Sequence, residues 1–303
     1  MKNFNVTILG CGSALPTLRH LPSAQIVEVG DKFYLVDCGE GTQLQFMRLK
    51  IKQRRMNRIF ISHFHGDHCF GLPGLISTLS LLGRKEDLFI YGPENLEGFL
   101  ASTLMMFDRN SFAIHFKAID AEKHELIVED NVVSVYSIPL KHRIPTCGFL
   151  FVEKTGYNHL LRDKADFYGI PMNMYFSIKK GADFVLPDGT VIPNRELTVP
   201  PAPARKYAYC SDTAFYPELA QMIEGAELLF HEATYAHADI ERAVNTYHST
   251  AVQAAEMAVM ANVKKLVIGH FSSRYSNDRF LGKEAMAVFP NTVVADEGMK
   301  IDV

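Results

Sequence analysis

FISHFHGDHCF, residues 60–70, decides the reading of this chain. His63, His65, Asp67 and His68 fall within six positions, directly behind a short apolar run. Imidazole and carboxylate crowded in this way form the donor set of a metal site, with zinc the best match and manganese or iron alternatives on the same ligands. In extended or turning backbone His63 and His65 point the same way and can clasp one ion. Asp67 and His68 lie one turn further on and can reach a second, with Gly66 permitting the tight backbone between the pairs.

Outward from this stretch, polar residues recur where apolar strands end. His63 follows RIFIS, His142 follows VYSIPLK, Asp212 follows YAYCS, His231 follows LLF and His270 follows KLVIG. Strand C-termini on one edge of a sheet are where α/β proteins gather ligands. Asp212 can bridge two ions, and His142 and His270 can complete one site each. Cys69, next to the cluster, reads as core at the start of a helix.

The rest of the chain alternates strand and helix. FNVTILG (4–10), AQIVEVG (24–30) and KFYLVDCG (32–39) read as strands, the last two joined by a tight turn at Gly30–Asp31. TQLQFMRL (42–49), GLPGLISTLSLLG (71–83) and ENLEGFLASTLMMF (94–107) have helical spacing, and LFIYG (88–92) is a strand. FAIHFKAI and ELIVEDNVVSVYSI read as three strands in hairpin-like order. Further on come KYAYCS, a helix near 215–223, ELLFHEA, a helix from Ser249 to Ala261, KLVIG, a helix near 282–288, and NTVVA. The order predicts an α/β protein with two mixed sheets face to face and helices outside. Residues 154–204 interrupt it. They are polar, end in VPPAPA and contain the hairpin signal LPDGTV, so they read as an arm inserted in a single domain spanning 1–303.

Composition limits the partners. A formal net charge of −3 excludes a general nucleic-acid binder. No apolar run approaches the ~20 residues of a membrane span, and the N-terminus lacks a secretion pattern. Five scattered cysteines without a CxxC pair suit a reducing compartment, the cytoplasm. RLKIKQRRMNR (48–58) holds six basic residues, and no Asp or Glu lies between Glu40 and Asp67. It reads either as a solvated face or as a phosphate-binding patch beside the site, with Arg54 and Arg55 as its candidates.

The HxHxDH cluster with its later His, Asp and His resembles the metallo-β-lactamase superfamily. HFHGDHCFGLPGL, YCSDT, HEATY (231–235), YHSTAVQAA (247–255), GHFSSRY (269–275) and the opening ILGCGSALP and VDCGEGTQ narrow the resemblance to ribonuclease Z, over essentially the whole chain. It implies an αβ/βα sandwich with a dinuclear site at one edge and two Zn2+ per subunit. His63, His65 and His142 would hold the first ion; Asp67, His68 and His270 the second; Asp212 would bridge. It implies zinc-dependent hydrolysis of the phosphodiester at the 3′ side of precursor tRNA, removing the 3′ trailer and leaving a 3′-hydroxyl. It also implies a homodimer in which one subunit's arm serves the other's site.

On that reading Asp67 is the proton acceptor. His248 is the candidate proton donor to the leaving 3′-oxygen, and Glu232 the carboxylate that raises its pKa against the helix N-terminus that follows. His231 reads as structural. His20, His115, His124, His159 and His237 lie outside the pattern and read as surface or packing residues. Lys179 and Lys180 of the arm are candidates for phosphate contacts. The arm keeps GIP and KKG but carries Met172, Asn173 and Met174 where the family's Gly-Pro element is expected. The competing readings are another hydrolase of the fold acting on small substrates (a phosphodiesterase or an arylsulfatase-like enzyme) and a non-catalytic RNA-binding subunit.

Overall fold

The computed structural model describes residues 3–104 and 111–303, so the end of the helix expected over 94–107 lies outside the described residues. Two compact units result: one takes the chain up to Val152 and again from Arg205, the other runs from Glu153 to Ala204.

In the first unit, β1 (Phe4–Gly10), β2 (Ala24–Val29) and β3 (Lys32–Val36) are antiparallel, turning at Gly30 with φ +62°. β4 (Met56–Phe60), β5 (Leu88–Gly92) and β6 (Ile114–Ala118) then add in parallel. The second sheet takes β7 (Leu126–Glu129), β8 (Val133–Leu140), β9 (Thr146–Glu153), β10 (Lys206–Cys210), β11 (Leu228–Glu232), β12 (Lys265–Gly269) and β13 (Thr292–Val294). β14 (Lys300–Asp302) returns to the first sheet, beside β1. Each sheet has seven strands, in the orders β14-β1-β2-β3-β4-β5-β6 and β13-β12-β11-β10-β9-β8-β7.

Aromatic rings fill the space between the sheets. Phe60 lies 5.3 Å from Phe149 and 5.6 Å from Phe151, centroid to centroid, and Tyr34 lies 5.9 Å from Phe151. Tyrosine hydroxyls in this core reach partners across the interface: Tyr34 donates to Asp130 at 2.8 Å and Tyr209 to Asp37 at 2.6 Å. A buried hydroxyl without an acceptor is costly, so these pairs fix the sheets' relative placement. Outside the first sheet, α1 (Thr42–Arg48), α2 (Gly66–Cys69), α3 (Leu72–Leu81) and α4 (Asn95–Leu104) follow β3, β4 and β5, burying Phe46, Leu75, Ile76 and Leu96. Outside the second lie α5 (Leu219–Met222), α6 (Ile240–Thr246), α7 (Ala251–Met260) and α8 (Arg279–Val288).

Three expectations change. The segments of 112–139 are not one three-stranded hairpin run: β7 and β8 pair, whereas β6 pairs with β5 and ends the other sheet. TCGFLFVE, unassigned from sequence, is the interior strand β9; burial on both faces removes the alternation that marks a strand. The helix α6, unassigned from sequence although Ile240, Ala243 and Val244 carry helical spacing, and the strand β14, too short to show a period, are also additions.

The second unit, read from sequence only as an inserted polar arm, has a small core of its own. Ala165, Ile170, Ile178, Phe184, Ile192 and Leu197 form it, spaced too widely in sequence to show a period. The LPDGTV turn joins Phe184–Val185 to Val191–Ile192 as an antiparallel hairpin, with Gly189 at φ +89°.

One close approach aims the metal-type ligands. The Gly71 amide donates to the Cys38 carbonyl at 2.9 Å, and a Cβ at Gly71 would lie 2.0 Å from the Gly39 carbonyl oxygen. Backbone cannot give way as a side-chain tip can. Gly71→Ala is therefore expected to destabilise the fold by about 1–3 kcal/mol, read as a lower urea midpoint with unchanged slope.

Candidate metal centre

His63 and His65 follow the end of β4, His63 in a bend and His65 in extended backbone, and the single turn α2 carries Asp67 and His68. Gly66 is not needed for conformation, since its φ is not positive, and only the exposed Phe70 ring stands close, 2.5 Å from where its Cβ would be. The second sheet supplies His142 after β8, Asp212 after β10 and His270 after β12. Asp212 and His270 have φ of +34° and +59°, strained values that re-aim the chain just past each strand.

The described residues hold one group of His63, His65, His142 and Asp212 and another of Asp67, His68 and His270, each with its ligand atoms within 4.8 Å of one another. Asp212 faces both. Its Oδ2 lies 3.5 Å from His63 Nε2 and 3.7 Å from His142 Nε2; its Oδ1 lies 3.2 Å from His68 Nε2 and 3.1 Å from His270 Nε2. Asp67 Oδ2 is 3.5 Å from both His68 Nε2 and His270 Nε2. His63 Nε2 and His65 Nδ1 are 2.9 Å apart.

Outer partners set the tautomers. Asp37 accepts from the Ser62 amide at 2.8 Å, the Ser62 hydroxyl at 3.0 Å, Tyr209 at 2.6 Å and His68 Nδ1 at 2.8 Å. The Ser62 hydroxyl, its proton on Asp37, accepts from His63 Nδ1 at 3.0 Å. Thr234 donates to Glu232 at 2.5 Å and so accepts from His270 Nδ1 at 2.9 Å. His142 Nδ1 donates to the Tyr247 carbonyl at 3.0 Å. With Nδ1 protonated in all four rings, Nε2 carries the lone pair that an ion requires. Nε2 of His68, His142 and His270 is buried and has no hydrogen-bond partner in the protein. A buried polar atom left bare is expensive, so these atoms fit a bound cation. The donor set therefore suits a metal site.

Charges follow the same geometry. Burial and the His68 charge push His63 below the usual imidazole range. Burial also works against a charged His68, but Asp212, Asp67 and Asp37 outweigh it and hold that ring well above the usual range. Asp67 is pushed up by burial, yet the His68 and His270 rings beside it outweigh that and hold it well below the usual carboxylate range.

Beside the cluster, Glu232 and His248 meet. His248 Nδ1 donates to Glu232 Oε1 at 2.8 Å, and the Thr213 amide donates to the same oxygen at 2.7 Å. His248 precedes α7, whose cap is Thr250 in a reciprocal box with Gln253. Burial works against a charged His248, but Glu232, by its charge and hydrogen bond, raises the ring to about 9.

His231 is buried outside both groups. The basic run is not beside the site. Arg54 and Arg55 precede β4 and His63 follows it, so a strand of about 16 Å separates them. Arg55 is moreover engaged with Glu28 at 3.0 Å and the Asp31 carbonyl at 2.7 Å, and stacks on Phe33. In the second unit Lys179 and Lys180 are exposed, with Lys180 Nζ 4.4 Å above the Phe176 ring. The sequence reading missed Asp37, Ser62 and Tyr247, which touch ligands without resembling any; only the Asp37 of VDCGEGTQ carried a signal.

Two facing sheets with paired His and Asp groups at one edge define a hydrolase of the metallo-β-lactamase fold. The chain shares that fold with the metallo-β-lactamase fold protein YhfI from Bacillus subtilis, at a TM-score of 0.69 and 18% identity over 100% of both chains. A family model described as "Anti-Pycsar protein Apyc1" matches residues 4–158. The crystal structure of the human tRNase Z short form superposes at a TM-score of 0.72 with 28% identity, over 99% of each chain. The ribonuclease Z of Parabacteroides distasonis is 55% identical over 100% of both chains. The chain belongs to the ribonuclease Z family, endoribonucleases of this fold. No helix among the described residues is long and apolar enough to cross a membrane.

Asp37→Asn keeps the shape but loses the charge that orients His68 and Ser62. It is expected to weaken metal binding about 10- to 100-fold in a chelator-competition titration. In the wild type the raised His68 must give up a proton when an ion binds, so affinity should fall as the pH falls.

Proposed function

We propose that this protein removes the 3′ trailer of precursor tRNA, hydrolysing the phosphodiester at its 3′ side and leaving a 3′-hydroxyl on the tRNA. The observation that carries the proposal is the Glu232–His248 pair beside the two ligand groups, 2.8 Å apart and on the HEAT and HST motifs. Membership of the ribonuclease Z family supports it. His63, His65 and His142 would hold one Zn2+, and Asp67, His68 and His270 the other, with Asp212 between. Bound there, the cations would supply Lewis-acid stabilisation of the phosphate and a nucleophilic water near neutral pH.

The chain's own residues handle the protons. Asp67, with its carboxylate kept ionised, accepts the proton of the attacking water. The new phosphorus–oxygen bond forms in line with the bond to the ribose 3′-oxygen that breaks. His248, with Nδ1 committed to Glu232, presents Nε2 as the donor to that leaving oxygen. The helix N-terminus behind His248 disfavours imidazolium, and the buried Glu232 offsets it. Lys179, Lys180 and the exposed aromatic Phe176 of the second unit would grip RNA through phosphate contact and stacking. Five free, buried cysteines support a cytoplasmic protein. A homodimer is proposed on the family resemblance, to be checked by light scattering.

Incubating the zinc-loaded protein with an end-labelled precursor should release the trailer, at a rate far above hydrolysis of bis(p-nitrophenyl) phosphate; no cleavage would sink the reading. Asp67→Asn should lower kcat at least ~100-fold. Glu232→Gln removes the charge that raises His248, so the alkaline limb of the kcat profile should move to lower pH. An unmoved limb would remove Glu232 from the mechanism. Replacing Lys179 and Lys180 by Ala should raise KM for the precursor several-fold and leave bis(p-nitrophenyl) phosphate hydrolysis unchanged.

A further inference from the structure

A second cluster of titratable groups lies away from the ligand groups. His20, expected at the surface or in packing, is buried between two carboxylates: Nε2 lies 2.7 Å from Asp278 and Nδ1 2.9 Å from Glu297. Carboxylates only accept, so both ring nitrogens donate and the ring is an imidazolium. Burial works against that charge, and the bonds to Glu297 and Asp278 outweigh it, holding the ring above its usual range. Arg19 stands 3.7 Å from Asp278, and the Cys11 thiol, kept neutral by burial and by Glu297, lies 3.3 Å from His20 Nδ1.

Cys11, His20 and Glu297 are near enough together to hold an ion. Their polar atoms are already partnered, however: the Leu21 amide donates to Glu297 Oε1 at 2.9 Å, and Cys11 Sγ reaches the Ala295 carbonyl at 3.6 Å. This is a filled hydrogen-bond cluster, unlike the bare Nε2 atoms of the ligand triad.

What the cluster holds is the loop from Cys11 to Leu21. The His20 amide donates to Thr17 Oγ1 at 2.9 Å and the Gly12 amide to the Leu21 carbonyl at 2.9 Å, closing the loop on itself. Ser13 donates to the Phe271 carbonyl at 3.0 Å, one residue past the ligand His270. At its apex Ala14, at φ +55°, donates its amide to Asp67 Oδ2 at 2.7 Å. A non-glycine residue at such a φ persists only where its surroundings over-determine it.

We infer that His20 is a positioning residue for phosphodiester hydrolysis: clamped through both ring nitrogens, it holds the Cys11–Leu21 loop so that the Ala14 amide keeps Asp67 in its working orientation. The inference rests on the proposed role of Asp67 in the reaction. Charged anchors at Asp278 and Glu297 bind the loop to the chain just before α8 and just before β14, so the loop's conformation is set outside the ligand groups.

The test uses the full zinc-loaded protein and precursor tRNA. His20→Gln and the milder Glu297→Gln should each lower kcat about tenfold, in the range seen when a ligand's outer partner is lost. KM should stay within about twofold, since an interaction lost only in the transition state lowers kcat alone. Bound zinc should be unchanged, and hydrogen exchange at the Ala14 amide should speed up while that of β10–β12 does not. Faster exchange with unchanged kcat, slower turnover with unchanged exchange, or loss of zinc would each overturn the inference. Asp67→Asn in the same assay separates the two readings. If that variant is fully active, the proposed role of Asp67 fails; if it is inactive while His20→Gln is normal, only the positioning inference fails.

Discussion

One buried carboxylate faces four imidazoles. Asp212 turns Oδ2 toward His63 and His142 and Oδ1 toward His68 and His270, all between 3.1 and 3.7 Å. Two of those rings come from the loop after β4 in the first sheet, and two from the second. Asp212 can meet them all only if the sheets are stacked with strand ends flush at one edge. The aromatic core and the Tyr209–Asp37 and Tyr34–Asp130 pairs set that stacking. Burying a carboxylate is costly, and a cation held between its oxygens and the four Nε2 atoms would offset that cost. Burial alone would raise Asp212, but His270, His68 and His63 hold it well below the usual range.

The outer partners extend the same logic. Asp37, with φ +55° and four hydrogen bonds, orients His68 directly and His63 through Ser62. Glu232 does comparable work on the other side, anchoring Thr213, Thr234 and His248 from the end of β11. Both are buried acids that never need to touch substrate. Their value lies in turning Nε2 of His63, His68 and His270 toward the ligand groups, and in keeping His248 charged where a helix N-terminus would discharge it. The ligand groups sit in the first unit, while the second has its own small core and an exposed cation–aromatic face.

Much of this was legible in the chain itself. HFHGDH specified a metal site because four imidazole and carboxylate donors fall within six residues, two before and two within a single helical turn. His142, Asp212 and His270 were legible as polar residues at the ends of apolar runs, and HEAT and HST as motifs. Local periodicity also gave the helices that cover the first sheet. It failed where burial on both faces erases alternation, as in β9, and where an element is too short for a period, as in β14. It failed again where charge density was taken for location: Arg54 and Arg55 adjoin the ligands in sequence but lie at the far end of β4.

The sequence by itself determined the donor atoms, their approximate partition into two groups, and the family. Side-chain chemistry and short-range spacing are local properties, and local properties can be read along a chain. Only the tertiary structure decided which sheet each strand joins, that Asp212 divides its oxygens between the groups, that Asp37 backs His68, and that His20 is clamped between two carboxylates. Those depend on contacts between residues tens to hundreds of positions apart, such as His20 with Asp278 and Glu297. No spacing encodes such contacts until the sheets are stacked.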